Sequence, residues 1–256
     1  MSKTKGSNRI KKGISRLFTF VCLTVFIYSI YSLSDIGLDY YHNRQVLAEV
    51  QQIYQQVDKE ETNGNKTEVR KQFHELHEIN PDIVGWITID DTIINYPIVQ
   101  TNDNEYYLTR NYKKEESRAG SIFMDYRNEL LSDNQNIVLY GHRMKDETMF
   151  NQLTKYLDKD FFTNHSKVYF DTLYDGYDAE VFSVYYTTTD FDYIQTEFES
   201  KDEYKLLLEE IHEKSIYQTD VKVTENDQII TLSTCDYTID PDEGRLVVHA
   251  KLVERE

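Results

Sequence analysis

The sequence predicts a mainly β domain, its sheet closed into a barrel or sandwich, behind a single apolar N-terminal helix. Three observations carry this. Short β-branched and aromatic runs recur from residue 80 onward with turn signals between them. The 256 residues include 21 Tyr against one Trp, rings that suit strands better than helices. An uncharged run, LFTFVCLTVFIYSIYSLS at 17–34, follows a basic N-terminus.

Residues 1–16 hold six cations (Lys3, Lys5, Arg9, Lys11, Lys12, Arg16) and no acid, which reads as a basic cytoplasmic segment. At about 1.5 Å per helical residue, 17–34 spans roughly 27 Å, near the hydrocarbon thickness of a bilayer. A cleaved signal peptide shares the basic head and apolar run. An uncleaved signal anchor is the favoured reading, because the run exceeds a usual h-region and no small-x-small cleavage site follows. The basic end stays in the cytoplasm and the acidic bulk lies outside. Residues 35–72 are expected to form a helical stalk. Within it, Val46, Val50, Ile53 and Val57 make one apolar stripe on a helix over 41–61. ETNGNKT at 61–67 turns the chain, and a second helix over 68–78 presents Val69, Phe73 and Leu76.

The catalytic domain is expected over 73–256. Its strands are predicted at 83–89, 92–99, 121–124, 136–140, 167–170, 179–188, 220–223, 228–234 and 245–253, from β-branched runs bounded by turn residues. Helices are predicted at 147–157 and 201–214, the latter with Tyr204, Leu207, Leu208 and Ile211 on one face.

Composition excludes several classes. The net charge of −17, with 22 cations against 45 acids after Arg16, argues against a nucleic-acid partner. No Gly-rich phosphate loop and no CxxC or HExxH spacing occurs, so neither a cofactor nor a metal is expected. The acidic loops lack Ca²⁺-ligand spacing and read as solvated surface. Of the two cysteines, Cys22 sits in the apolar run as a small hydrophobe. Cys235 is then alone outside the membrane, where a thiol is buried or used.

The neighbourhood of Cys235 decides between those. TLSTC (231–235) delivers the thiol at the end of a strand, and Arg245 opens the next strand ten residues later. A loop containing Pro241 and Gly244 lets the two strands be neighbours, with Arg245 beside Cys235. A guanidinium there favours thiolate and holds an oxyanion. His142, in NIVLYGHRM, again follows an apolar strand, and Gly141 before it permits a backbone that a Cβ would hinder. A thiol, an imidazole and a fixed cation are what thiol acyl transfer needs. On residues alone His249 rivals His142, since it shares a strand face with Arg245, although about 13 Å away.

TLSTC with an Arg ten residues on and an upstream YGHRM resembles the sortases, cysteine transpeptidases of Gram-positive cell surfaces. NPDIVGWITIDDTIINYPIVQTNDNEYYL (80–108), and the long helix between DYIQTEF and TLSTC, resemble class B members. The resemblance implies an eight-stranded β-barrel with N-terminal helices and one helix inserted before the cysteine strand. It implies Cys235 as nucleophile, His142 as general acid/base and Arg245 as oxyanion or substrate clamp. It further implies peptide contacts at Asn104, Leu108, Thr189, Tyr193, Ile194 and Ser233. The partners would be surface proteins bearing a C-terminal sorting motif, cut after Thr, and an amine of the peptidoglycan precursor. A pilin lysine as acceptor is the alternative; the chain lacks the Asp-Pro-aromatic lid motif of many pilus sortases. A non-catalytic tethered binding module is a third reading, opposed by the intact Cys235, His142 and Arg245.

Overall fold

Each of the eight strands has a bonded neighbour on both edges, so the sheet closes on itself in the order β1-β2-β3-β4-β7-β8-β6-β5. The strands are β1 (Ile83–Thr88), β2 (Asn95–Val99), β3 (Ile122–Met124), β4 (Asn136–Tyr140), β5 (Lys167–Thr172), β6 (Gly176–Thr187), β7 (Ile229–Cys235) and β8 (Arg245–Lys251). Two pairs, β2–β3 and β4–β7, are parallel; the others are antiparallel. Closure removes open edges, which short antiparallel strands otherwise leave exposed. The computed structural model describes residues 4–56, 68–132 and 134–255, with side chains from residue 13 in the first helix.

The chain divides into two units, 1–44 and 45–256. The first is a helix, part of α1 (Thr4–Gln56), so the apolar run and the helix expected after it are one continuous element. Its apolar side chains, Leu17 to Leu38, are exposed. Among the described residues this is the one helix long and apolar enough to cross a membrane, its best stretch having a mean hydropathy of 1.8. Thr19, Thr24 and Ser29 satisfy their hydroxyls by donating to carbonyls four residues back, which keeps polar groups tolerable on an apolar helix. Val57 and the turn at 61–67 lie outside the described residues.

In the second unit the last turns of α1 bury Val46, Val50 and Tyr54 in a cluster with Phe73, Leu76 and Trp86. The Tyr54 ring stacks on Trp86 at 4.0 Å, and its hydroxyl donates to Asp171 Oδ2 (2.9 Å). Asp171 Oδ1 also accepts from Arg70 (2.8 Å) and Arg255 (3.1 Å), tying both ends of the domain to β5. The helix expected over 68–78 is shorter: a 3₁₀ turn at Lys71–Phe73 leads into α2 (His74–Ile79). Arg70 is extended instead, because its N–H pairs with the Leu173 carbonyl (2.8 Å).

Two further expectations are corrected. Residues 220–223 form no strand: β7 and β8 already pair on both edges, and Val221 and Val223 pack instead against the cluster of α4 (Lys201–Lys214). The helix expected over 147–157 is a 3₁₀ helix from Phe150 to Leu157, preceded by positive φ at Glu147 and Met149. A short helix follows it, α3 (Lys159–Asn164), with Asp158 accepting from the Phe161 N–H as its cap. By contrast α4 keeps its predicted bounds, with Ser200 capping the Glu203 N–H. It buries Tyr204, Leu207, Leu208 and Ile211.

Between the barrel wall and α4 runs a polar chain of bonds. Asn136 Nδ2 donates to the carbonyls of Tyr193 (3.1 Å) and Gln195 (2.9 Å), so its Oδ1 must accept, from Thr231 (2.7 Å). Thr231 Oγ1, having given its proton, accepts from His249 Nδ1 (2.9 Å). In neutral His249 the other nitrogen, Nε2, then accepts from the Tyr185 hydroxyl (2.8 Å). Burial, helped by His212, pushes its pKa from 6.5 down to about 3.

Between those values an unfolded chain binds a proton at residue 249 that the folded chain refuses. The free energy of unfolding should therefore fall as pH drops from about 6.5, by up to about 1.4 kcal/mol per pH unit. Chemical unfolding between pH 7 and pH 4 checks this against His249→Gln, which should show a shallower slope. Equal slopes would reject the buried neutral histidine as the cause.

Candidate active site

The C-terminal ends of the parallel strands β4 and β7 lie side by side, Tyr140 opposite Ser233. The Gly141 N–H extends this ladder to the Ser233 carbonyl (3.2 Å), which carries the next residue, His142, to the same rim as Cys235. Gly141 is demanded by space, since an added Cβ would run into Ile122 and meet the Phe150 ring at 2.8 Å. Across β7 the antiparallel register sets Cys235 directly opposite Arg245, and β6 adds Thr187 on the other side of Arg245. The loop between them closes tightly at Gly244, where a Cβ would meet the Asp236 and Asp240 carbonyl oxygens.

A cleft of about 300 Å³ opens at this end of the barrel. All nine residues singled out by the sequence line it: Cys235, His142, Arg245, Asn104, Leu108, Thr189, Tyr193, Ile194 and Ser233. His249 does not; it is wholly buried in the polar chain beneath α4. The sequence reading missed Phe123, Tyr140 and Thr234, which also line the cleft. Tyr140 carried a usable signal, a polar-tipped ring ending an apolar strand just before Gly141. Among the described residues the buried Thr234 hydroxyl has no hydrogen-bond partner.

The local bonds orient the three reactive groups. His142 Nε2 lies 2.7 Å from the Leu108 carbonyl, an acceptor only, so Nε2 carries a proton and Nδ1 is the nitrogen left for proton exchange. Arg245 Nη1 donates to the Gly244 (2.9 Å) and Asp242 (3.4 Å) carbonyls. Its Nε and Nη2 have no protein acceptor among the described residues and can serve a developing oxyanion. Beneath the thiol, Asp236 is buried and its carboxylate is matched by Arg143, so the buried charge next to Cys235 is compensated.

The walls of the cleft are bonded to one another. Tyr193 and Ser233 share a hydrogen bond across the cleft (2.9 Å), and burial pushes the Tyr193 phenol up. Thr189 donates to Glu243 (3.0 Å), joining the loop after β6 to the loop before β8. Among the described residues no three His, Cys, Asp or Glu side chains gather to hold a metal. A half-buried thiol, an imidazole with one free nitrogen and a guanidinium with free donors can together perform acyl transfer.

The comparisons agree with this geometry. The family model described as "Sortase domain" matches residues 87–253. Sortase B of Listeria monocytogenes is 44% identical over 250 residues, covering 96% of this chain and all of that protein. A crystal structure of sortase B from B. anthracis superposes with a TM-score of 0.79 at 62% identity, covering 85% of this chain and 98% of that one. A Staphylococcus aureus sortase B–substrate complex gives 0.78 at 41% identity, covering 86% and all of the respective chains. A sortase-type barrel with a thiol at the rim, matched over most of its length by class B members, belongs to the sortase family as a cysteine transpeptidase of the B class.

Proposed function

We propose that this sortase is anchored in the membrane by residues 17–34, with its basic N-terminus in the cytoplasm and its barrel outside. There it cuts a C-terminal sorting motif of surface proteins after Thr and transfers the acyl group to an amine of the peptidoglycan precursor. The observation that carries the reading is the β7–β8 register, Cys235 opposite Arg245, at the rim of the cleft that His142 also lines. A related sortase B that forms a complex with its substrate supports a peptide as the ligand.

In this reading the Cys235 thiolate attacks the carbonyl carbon of the substrate Thr, and Arg245 takes the oxyanion through Nε and Nη2. As the C–N bond breaks, protonated His142 gives its Nδ1 proton to the departing nitrogen. A Cys235 thioester and a neutral His142 remain. The acceptor amine attacks the thioester, His142 takes the amine proton, and the thiolate leaves with the enzyme restored. Asn104, Leu108, Thr189, Tyr193, Ile194 and Ser233 are the peptide contacts. Asn104 and Tyr193 already spend hydrogen bonds on protein partners, so they act mainly as rigid walls.

Three tests follow from the parts. Arg presents parallel donors where Lys offers a single compact charge. Arg245→Lys should keep the fold and lose turnover of a Thr-containing sorting peptide by about 10²–10³, the usual cost of an oxyanion donor. Near-normal turnover would leave Arg245 only a field effect on the thiol. Separately, mass spectrometry of the products should show the new amide only when an amine acceptor is supplied. Hydrolysis product alone, at every amine concentration, would reject transfer. Fractionation of the same full-length protein should find it in the membrane; a shortened, released form as the main species would reject the anchor.

A further inference from the structure

One buried carboxylate outside the cleft is bonded to two of its walls and, through Arg127, linked to a third. Asp125 follows β3, is completely buried, and does not line the cleft itself. Its Oδ2 accepts from Asn104 Nδ2 (2.9 Å) in the loop after β2 and from the Tyr140 hydroxyl (2.8 Å) at the end of β4. Both oxygens are also gripped by Arg127, whose Nε reaches Oδ1 and Nη2 reaches Oδ2 at 2.8 Å each. The same Nη2 donates to the Ile194 carbonyl (3.0 Å) in the loop after β6. Asn104, Tyr140 and Ile194 all line the cleft, and they come from segments far apart in the chain.

The remaining bonds make this a fixed frame. The Tyr126 N–H donates to Asn104 Oδ1 (3.0 Å), so both ends of the Asn104 amide are held. On either side of Ile194, the Tyr193 and Gln195 carbonyls are held by Asn136. Three consecutive carbonyls of the wall, 193–195, therefore have fixed donors. Burial pushes the Asp125 carboxyl up, but the bonds from Arg127 and Tyr140 outweigh it and keep the group ionised below the usual carboxylate range.

We propose that Asp125 is a positioning residue that sets the spacing between the Asn104, Tyr140 and Ile194 walls, with Arg127 as the relay to Ile194. It governs how well the sorting peptide is held and leaves the Cys235–His142–Arg245 chemistry untouched. Its carboxylate is suited to this because a single ionised group accepts from several donors at once, in charge-assisted bonds. The proposal rests on the peptide-cleaving reading above.

The test uses the full chain in detergent micelles, as wild type, Asp125→Asn and Arg127→Gln. The probe is a quenched-fluorescent peptide library with Thr fixed before the scissile bond. In both variants KM should rise about tenfold, the size of a lost charge-assisted bond, with kcat within about twofold. Iodoacetamide should alkylate Cys235 at the wild-type rate, and amide hydrogen exchange should quicken over residues 189–196. A merely structural role predicts the opposite split, with KM unchanged and kcat falling in step with the folded fraction, and that result overturns the proposal. If Asp125→Asn fails to fold, Arg127→Gln decides, its side chain being one-third exposed; an unchanged KM there overturns the proposal too. If the wild type cleaves no peptide of the library, the functional reading fails by itself. The exchange comparison then stands alone, and unaltered protection over 189–196 in both variants rejects the positioning role.

Discussion

The site depends on the register of β8 against its two neighbours, and that register is pinned beneath α4. Side chains alternate along a strand, so a slip of β8 by one residue would turn the Arg245 guanidinium to the face opposite the Cys235 thiol. His249 makes such a slip expensive. On β8 it sits opposite Thr231 of β7 and Ser183 of β6, and it bonds Thr231 and Tyr185 through its two ring nitrogens. Any shift leaves buried hydroxyls and an imidazole without partners, each a loss of roughly 1–3 kcal/mol. The histidine that rivals His142 in the sequence thus serves the site from beneath α4, where it holds the strands that carry Cys235 and Arg245.

The polar chain beneath α4 also reaches the cleft directly. From His249 it passes through Thr231 to Asn136, and Asn136 holds the loop carbonyls of Tyr193 and Gln195. The strand register and the shape of the cleft wall are therefore coupled through bonded atoms. This matters for a loop that must be irregular in order to line a cleft, because its backbone groups cannot be satisfied within a sheet. Asn136 and Arg127 supply the missing donors from outside the loop. A site built this way is preorganised, and preorganisation is what lets fixed donors serve a developing charge without rearranging.

What the sequence made legible follows how locally each feature is encoded. The helix α4 was readable to its ends, because its apolar face, its Ser200 cap and its charged last turn lie within one window. The strands were readable to within a few residues, since alternation and turn residues are local as well. Residues 220–223 misled for the same reason. Their Val-Lys-Val pattern fits a strand, yet a closed barrel has no free edge to receive it. The positive φ at Glu147 and Met149 was equally hidden, because neither residue type announces a left-handed backbone. The long-range carboxylate hubs left no local trace at all. Asp171 meets partners at positions 54, 70 and 255, and Asp125 meets Asn104 and Tyr140, contacts that only the closed fold creates.

The candidate site lies between these extremes. Cys235 ends β7, Arg245 begins β8 and His142 lies two residues past the end of β4, and strand ends at one pole of a barrel converge whatever the loops do. Two of the three were therefore placeable by counting along neighbouring strands, and the register of β7 and β8 sets them face to face. What counting could not supply is orientation. The Leu108 carbonyl decides which nitrogen of His142 is free, and the Gly244 and Asp242 carbonyls decide which guanidinium donors remain. Leu108 thus contributes twice, its main chain to the imidazole and its place to the cleft wall. A substitution at 108 that preserved the backbone would alter the wall alone, whereas a shift of that 3₁₀ turn would move the imidazole as well. The cleft wall and the orientation of His142 are joined there through one main-chain bond, so backbone movement at the turn changes both together.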